Sequence, residues 1–215
     1  MAAARDIVIE GPIGVGKTSL ARRLATSLEA RLLLEQPEGN PFLPRFYANP
    51  KAGALPAQLF FLFQRVRQLE SLLQSELFSA GVVADFLLDK DRLFAELTLD
   101  AEEFALYGAI WNNVVPSLPP PDLVVYLQAP VDVLQRRIAR RGIDYEQGMD
   151  RRYLERVCEA YARFFHGFDR APLLIVNAAD IDPIHNQQDY EQLLAAIRQT
   201  RHGRQFFNPA AGGML

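Results

Sequence analysis

The chain has 215 residues, of which 49% are hydrophobic, and a formal net charge of −3. This size and composition predict one globular domain, and the small net charge argues against a nucleic-acid groove or an anionic membrane surface as partner. The single cysteine, Cys158, excludes an internal disulfide and is typical of a reducing compartment.

The segment from Gly11 to Thr18 matches the phosphate-binding pattern G-x-x-x-x-G-K-[ST]. It follows the apolar run Ile7 to Ile9 and precedes leucines at helical spacing, which completes the order strand, loop, helix. Such a loop wraps backbone amides around phosphate oxygens, its lysine reaches the β- and γ-phosphates, and its threonine binds Mg²⁺. We expect a nucleotide here, with Mg²⁺ on Thr18 and the phosphates on Gly11, Gly14, Val15, Gly16, Lys17, Thr18 and Ser19.

Short apolar runs alternate with helical segments along the chain. The runs predicted as buried strands are Ile7–Ile9, Leu32–Leu34, Val82–Ala84, Leu123–Leu127 and Leu173–Val176. This pattern predicts an α/β fold with a five-stranded parallel sheet and helices on both faces. Ligands bind beyond the carboxyl ends of such strands, so the residues that follow the runs are site candidates. They are Glu10, Glu35, Asp85, Gln128 and Asn177.

Apolar residues at helical spacing predict helices over Pro56 to about Phe78, Ala101 to about Val115, Val131 to about Arg141, Tyr153 to Phe168 and Gln188 to Arg198. We expect one domain over residues 1–200 and a flexible tail over residues 201–215, which lack an apolar period. The most apolar run, Leu59 to Phe63, is too short to span a bilayer, and residues 1–6 leave no room for a signal peptide. We therefore expect a cytoplasmic protein without a membrane partner.

Glu35 and Asp85 are carboxylates at strand ends in the sheet that carries the phosphate loop. Glu35 could take a proton from a substrate hydroxyl, because phosphoryl transfer needs a base near the acceptor oxygen. The alternative is a solvated glutamate in a polar loop. Asp85 could organise Mg²⁺ or water. The weaker candidates are interpreted as surface charge on the next helix: Asp89, Lys90, Asp91 and Arg92.

Two further groups lie on predicted helices. Four arginines share helix faces at spacings of four and could act as a mobile lid over the transferred phosphoryl group, although such runs are usually solvated: Arg136, Arg137, Arg140 and Arg141. Gln58 and Arg65 share one face of the longest helix, where a glutamine could read the edge of a nucleobase. Three aromatic neighbours could stack on that base or belong to the core: Phe60, Phe61 and Phe63.

Together these segments resemble the deoxynucleoside kinase family over residues 7 to about 200. The matching motifs are Glu35-x-Pro37, Asn40-Pro41-Phe42-Leu43-x-x-Phe46-Tyr47, Gln58 with Arg65, Arg137 to Gly142, and Asp144-Tyr145-Glu146. The resemblance implies a P-loop kinase fold with an arginine-rich lid, and a homodimer. It also implies that ATP, with Mg²⁺, phosphorylates the 5′-hydroxyl of a deoxynucleoside.

The resemblance implies a role for each matching residue. Glu35 is the general base for the 5′-hydroxyl, and Tyr47 and Glu146 hold the 3′-hydroxyl. Gln58 reads the base with Arg65 nearby, and Asp85 belongs to the substrate site. Arg137 and Arg141 are lid arginines that contact the phosphates of ATP. The expected catalytic set is therefore Lys17, Glu35, Asp85, Arg137 and Arg141.

One departure from the family follows the third strand. The family often has an acidic-Arg-Ser motif there, and its arginine assists catalysis, whereas this chain has Asp85-Phe86-Leu87. Lys90 or Arg92 could supply the missing charge from the next turn. The Asp85-Phe86 variant resembles a bacterial branch of which some members favour deoxyadenosine, which implies a purine substrate.

Other protein classes share the phosphate loop. A nucleoside monophosphate kinase of the thymidylate type would need an arginine directed at the acceptor phosphate and no base at Glu35. A GTPase-like switch would need a lysine where Asn177-Ala178-Ala179-Asp180 has alanine. A non-catalytic nucleotide-binding protein is disfavoured because Lys17, Thr18 and Glu35 are all present.

Overall fold

The computed structural model describes residues 5–74 and 81–208, which form a parallel sheet with helices on both faces. The strands are β1 (Ile7–Glu10), β2 (Arg31–Leu33), β3 (Val82–Ala84), β4 (Leu123–Gln128), β5 (Leu173–Asn177) and β6 (Arg204–Phe207). Their order in the sheet is β2-β3-β1-β4-β5-β6. Because β1 lies between β3 and β4, the loop that follows it is at the centre of the carboxyl edge.

The α-helices are α1 (Lys17–Leu28), α2 (Leu43–Ala48), α3 (Pro50–Gln74), α4 (Lys90–Thr98), α5 (Ala101–Val114), α6 (Val131–Arg141), α7 (Arg151–His166) and α8 (Gln187–Gln199). Alternate residues of β4 enter two different cores, as expected for a strand buried on both faces. Val125 packs with α1 and α8, whereas Val124 and Tyr126 pack with α4 and α7. Over the described ranges, no helix combines the length and the apolar character needed to cross a membrane.

The predicted α/β class and all five predicted strands are confirmed, each to within one residue at either end. The start of the longest helix was predicted wrongly, because α3 begins at Pro50 and contains Pro56 in its interior. Gly53, a poor helix former, packs so closely on α2 that a Cβ there would lie 2.6 Å from the Phe46 backbone. Tertiary packing therefore outweighs the low helix propensity of Gly53 and Pro56. The predicted end of this helix near Phe78 lies outside the described residues.

A sixth strand lies in the segment that was predicted to be a flexible tail, so that prediction is wrong for residues 204–207. β6 pairs in parallel with β5, placing Phe206 opposite Ile175. Arg204 anchors it by donating to the carbonyl oxygens of Phe165 and His166. The strand is short, has one neighbour and is mostly exposed, so its sequence carries no strong apolar period. Residues 209–215 lie outside the described residues.

Candidate active site

The phosphate loop joins β1 to α1 and needs glycine at two positions for lack of space. A Cβ on Gly11 would lie 2.4 Å from the Leu127 carbonyl oxygen, and one on Gly14 would lie 2.7 Å from Ile138 Cγ1. Both glycines have positive φ, 148° and 82°. α1 starts directly after the loop, and the N–H groups of its first turn have no acceptor within the helix. These amides and the helix dipole form an anion site at the centre of the sheet edge.

The Lys17 ammonium lies against the loop itself. It donates to the carbonyl oxygen of Gly11 at 2.8 Å and to that of Pro12 at 3.3 Å. Burial, together with the nearby charge of Lys90, lowers the pKa of Lys17 to about 8. Phosphate oxygens would be stronger acceptors than these carbonyls, because both partners of the hydrogen bond would then be charged.

Asp85 connects the phosphate loop to the residue that follows β2. Its buried carboxylate accepts a hydrogen bond from the Thr18 hydroxyl through Oδ2 and one from the backbone N–H of Glu35 through Oδ1, at 2.7 Å. Burial raises the pKa of Asp85, although both hydrogen bonds favour its ionised form. Asp85 therefore fixes Thr18 and Glu35 relative to each other.

The Glu35 carboxylate lies between two cations. Its Oε1 forms an ion pair with Arg65 and lies 3.4 Å from Lys90 Nζ. Burial would raise the pKa of Glu35, but the charges of Arg65 and Lys90 outweigh it and hold the pKa well below its usual range. Only 19% of the side chain is exposed, so the environment does not match a solvated glutamate in a polar loop. At neutral pH Glu35 is an anion that can accept a proton.

The network of buried charges extends from Glu35 to the wall formed by α3 and α4. The second terminal nitrogen of Arg65 pairs with Asp91, and the two side chains are 4% and 1% exposed. Gln58, on the same helix as Arg65, is also buried and donates from Nε2 to Thr98 Oγ1 at 3.3 Å. The wall that α3 and α4 contribute to a small cavity therefore contains hydrogen-bonding groups, from Gln58, Arg65 and Asp91.

The three phenylalanines of α3 have different surroundings. Phe61 lines the cleft, and its ring centre is 4.9 Å from the Arg65 guanidinium carbon. Phe60 packs edge-on against Phe42, with ring centres 6.5 Å apart. Phe63 is 42% exposed. Of the three, Phe61 is the one placed to contact a base.

Tyr47 and Glu146 come together on the opposite side of the cleft. Tyr47 stacks on Tyr145, with ring centres 5.7 Å apart and planes at 18°. Glu146 is buried in the 3₁₀ turn Asp144–Glu146 and forms an ion pair with Arg141. Burial raises the pKa of Tyr47 well above its usual value, and the charge of Glu146 contributes in the same direction. Tyr47 thus remains protonated and can donate a hydrogen bond.

The two expected lid arginines have different partners. Arg137 donates to the carbonyl oxygen of Val15 at 3.1 Å and to that of Ala178 at 2.8 Å. It therefore ties the phosphate loop to the segment after β5. Arg141, by contrast, faces the side of the cleft that contains Glu146 and remains 44% exposed. Of these two arginines, Arg141 is therefore the one placed to reach toward a transferred group, although it is paired with Glu146 here.

Two cavities meet at the carboxyl edge of the sheet. One, of about 130 Å³, contains Tyr47, Gln58 and Glu146; the other is an open cleft of about 1130 Å³ along the phosphate loop and α6. The residues that line both include Gly14, Lys17, Thr18, Glu35 and Arg141. The base candidate Glu35 and Lys17 of the phosphate loop therefore share a junction between the two cavities.

The prediction of surface charge was wrong for Lys90 and Asp91, which are 3% and 1% exposed and line the smaller cavity. A signal was available, because Lys90 is at helical spacing from Leu93 and Phe94, on their face of α4. Glu10 is buried too, and its carboxylate accepts from Gly11 N, Leu87 N and the Tyr161 hydroxyl. Of the remaining strand-end candidates, Gln128 is exposed and Asn177 donates a hydrogen bond to Asp180.

Comparison with known proteins agrees with this geometry. The family described as Deoxynucleoside kinase matches residues 7–201. Deoxyguanosine kinase of Bacillus subtilis (strain 168) is 32% identical over 204 residues, which cover 93% of this chain and 99% of the relative. Deoxyadenosine/deoxycytidine kinase of the same organism is 27% identical, with 93% and 94% covered.

A solved structure of deoxyadenosine kinase from M. mycoides with bound dATP has the same fold. Its TM-score to this chain is 0.77 at 24% identity, with 90% of this chain and 100% of the other covered. The family match favours a nucleoside acceptor over the thymidylate-type alternative. The chain belongs to the deoxynucleoside kinase family and is an ATP-dependent phosphotransferase.

Proposed function

We propose that this kinase transfers the γ-phosphoryl group of ATP to the 5′-hydroxyl of a purine deoxynucleoside, with Glu35 as general base. The observation that carries the proposal is the junction of the two cavities, which Lys17 and Glu35 line together. Lys17 and the loop amides suit a triphosphate in the open cleft. Glu35 suits a hydroxyl group that enters from the smaller cavity.

The proposed reaction needs one proton transfer and an arrangement that neutralises charge. As the bond between the 5′-oxygen and the γ-phosphorus forms, the bond from that phosphorus to the β-phosphate oxygen breaks and ADP leaves. The hydroxyl proton passes to the Glu35 carboxylate. Lys17 and the amides of the loop hold the phosphates throughout. Arg141 compensates the negative charge of the transferred group, and Arg137 keeps the loop in place.

The residues that line the smaller cavity support the assignment of a deoxynucleoside as the acceptor. In the proposal Tyr47 donates a hydrogen bond to the 3′-hydroxyl and Glu146 accepts one from it, while Gln58 and Arg65 read the edge of the base. The two relatives from Bacillus subtilis are named for deoxyguanosine and for deoxyadenosine with deoxycytidine, which supports a purine substrate. Deoxyadenosine and deoxyguanosine are the two candidates that an assay must separate.

Mg²⁺ is part of the proposal. The Thr18 hydroxyl and the Asp85 carboxylate lie side by side at the phosphate loop and are hard oxygen ligands, which fits this ion. Within residues 5–74 and 81–208, no group of three or more His, Cys, Asp or Glu could hold a metal alone. When bound, the ion neutralises phosphate charge.

We also propose a cytoplasmic homodimer that forms through α3 and α5. These helices pack together, and each leaves a large apolar side chain exposed: Phe63 by 42% and Leu106 by 51%. Exposed apolar side chains on adjoining helices support an interface between copies. Light scattering after gel filtration should give twice the chain mass of 24.2 kDa, and Leu106→Glu should shift that mass toward one chain. A monomeric wild type would contradict the proposal.

A coupled assay of ADP release tests the substrate assignment. The four deoxynucleosides are compared by kcat/KM, with deoxythymidine monophosphate as a fifth acceptor. We expect the two purine deoxynucleosides to give the highest values and the monophosphate to give none. ADP release that depends on the monophosphate alone would contradict the proposal, and a pyrimidine in first place would overturn its purine part.

A further inference from the structure

The segment after β3 brings no positive charge to the base from position 86. Phe86 is 2% exposed and lines a separate apolar cavity with Leu69 and Trp111. Arg92 lines the same apolar cavity as Phe86, and its side chain is exposed. Neither of these side chains lines the cavity that contains Glu35.

Lys90, the first residue of α4, is the cation on this segment that faces Glu35. It is 3% exposed, and its Nζ lies 3.4 Å from Glu35 Oε1 and 3.5 Å from Glu10 Oε1. An ammonium group has three N–H donors, and two carboxylates are within their reach here. Lys90 therefore bridges a carboxylate at the end of β1 to one that follows β2.

Glu10 anchors the Lys90 ammonium, but the pair with Glu10 alone does not explain why Lys90 also faces Glu35. The Glu10 carboxylate already accepts hydrogen bonds from Gly11 N at 3.0 Å, Leu87 N at 2.6 Å and the Tyr161 hydroxyl at 3.0 Å. It is fully buried, so it is a fixed anchor for the ammonium. A buried ammonium is tolerated only when it is paired, and Glu35 is the partner of Lys90 that has fewer other donors.

We propose that Lys90 is a positioning residue for the base and takes over the role of the arginine absent at position 86. It holds the Glu35 carboxylate on the side of the Glu10 anchor, while Arg65 holds it from the side of Asp91. With Lys90 removed, Arg65 alone would orient the base. The inference rests on the proposed role of Glu35, and Lys90 itself forms and breaks no bond during the transfer.

A double-mutant cycle tests this role with Lys90→Met and Glu35→Gln, alone and combined, in the full chain. The acceptor is whichever deoxynucleoside the wild type uses fastest. We expect Lys90→Met to lower kcat about 100-fold, the loss typical of a slightly misplaced reacting group, with a much smaller change in nucleoside KM. In the Glu35→Gln background the same change should alter kcat by no more than about twofold, because the carboxylate it positions is gone.

Two variants complete the experiment. Lys90→Arg retains the charge and should recover most of the lost kcat, whereas Arg92→Met should leave kcat unchanged. If Lys90→Met does not fold, judged by its thermal transition, Lys90→Gln replaces it in the same cycle, because glutamine can still donate to Glu10. Losses that add fully in the double variant, or a kcat near the wild-type value in Lys90→Met, would overturn the role of Lys90. A normal kcat in Glu35→Gln alone would instead overturn the base assignment.

Discussion

Arg65 on α3 and Glu35 at the end of β2 form a buried ion pair. The other terminal nitrogen of the same guanidinium pairs with Asp91 on α4. One side chain therefore connects the proposed base to the wall on which the nucleobase is expected to lie. A planar guanidinium with donors on two edges can pair with two carboxylates on opposite sides in a fixed geometry.

Replacing Arg65 should destabilise the fold measurably. Arg65→Met leaves Asp91 buried without its cation and Glu35 with Lys90 alone, so we expect the free energy of unfolding to fall by about 3 kcal/mol. Urea denaturation at neutral pH measures the change. Arg67→Met, at an exposed position of the same helix, is the control and should change stability by less than about 0.5 kcal/mol. Equal effects of the two substitutions would contradict the importance of the pair.

The affinity for ATP should depend on pH through Lys17. Burial, with the charge of Lys90, lowers the pKa of Lys17 to about 8 in the free protein, and the protonated form is the one that binds phosphate. Above that pH, binding must be accompanied by uptake of a proton, so the ATP dissociation constant should rise about tenfold for each pH unit. Calorimetry between pH 7 and 9.5 measures it. Lys17→Ala should abolish turnover and remove this pH dependence; a flat profile in the wild type would contradict the prediction.

Gln58 should determine discrimination among bases. Gln58→Ala removes a side chain that can make paired hydrogen bonds with a base edge, so the ratio of kcat/KM between the best and worst deoxynucleosides should shrink about tenfold. Arg67→Ala provides a control on the exposed side of α3. Competition assays with mixed deoxynucleosides give the ratio directly. If the ranking and the ratio stay as in the wild type, base recognition lies elsewhere.

Two helical glycines should respond in opposite directions to the same substitution. A Cβ on Gly53 would lie 2.6 Å from the Phe46 backbone, whereas one on Gly108 in α5 has no neighbour within 4 Å. We expect Gly53→Ala to destabilise the protein by about 1–3 kcal/mol through overpacking. Gly108→Ala should stabilise it by about 0.5–1 kcal/mol through helix propensity. Urea denaturation of both variants checks the signs, and a stabilising Gly53→Ala would contradict the packing of α2 on α3.

The convergence of three candidate site residues follows from the parallel sheet. Lys17, Glu35 and Asp85 all follow strands, and the carboxyl ends of parallel strands lie at one edge, so their convergence could be expected. Lys90 and Asp91 do not follow strands, so this argument does not reach them, and for Lys90 the available signal was its helical spacing from Leu93 and Phe94. Charges in the first turn of a helix are usually solvated, and their burial depends on Glu10, Glu35 and Arg65, which other elements supply.

The errors in the fold have similar causes. β6 forms because one edge of β5 is available for pairing. The sequence of β6 is short and its residues are mostly exposed, so the sequence alone does not predict the strand. The first turns of α3 form despite Gly53 and Pro56 because α2 packs against them. In both places the structure is determined by a neighbouring element more than by the local sequence.

The single-turnover rate of Glu35→Gln tests the central claim most directly. The variant is mixed in excess with ATP, Mg²⁺ and the deoxynucleoside that the wild type uses fastest, and the 5′-monophosphate is quantified over time. We expect the rate to fall by at least about 100-fold, the usual contribution of a general base, while both ligands still bind with affinities close to those of the wild type. A rate equal to that of the wild type would contradict the assignment of Glu35 as the base.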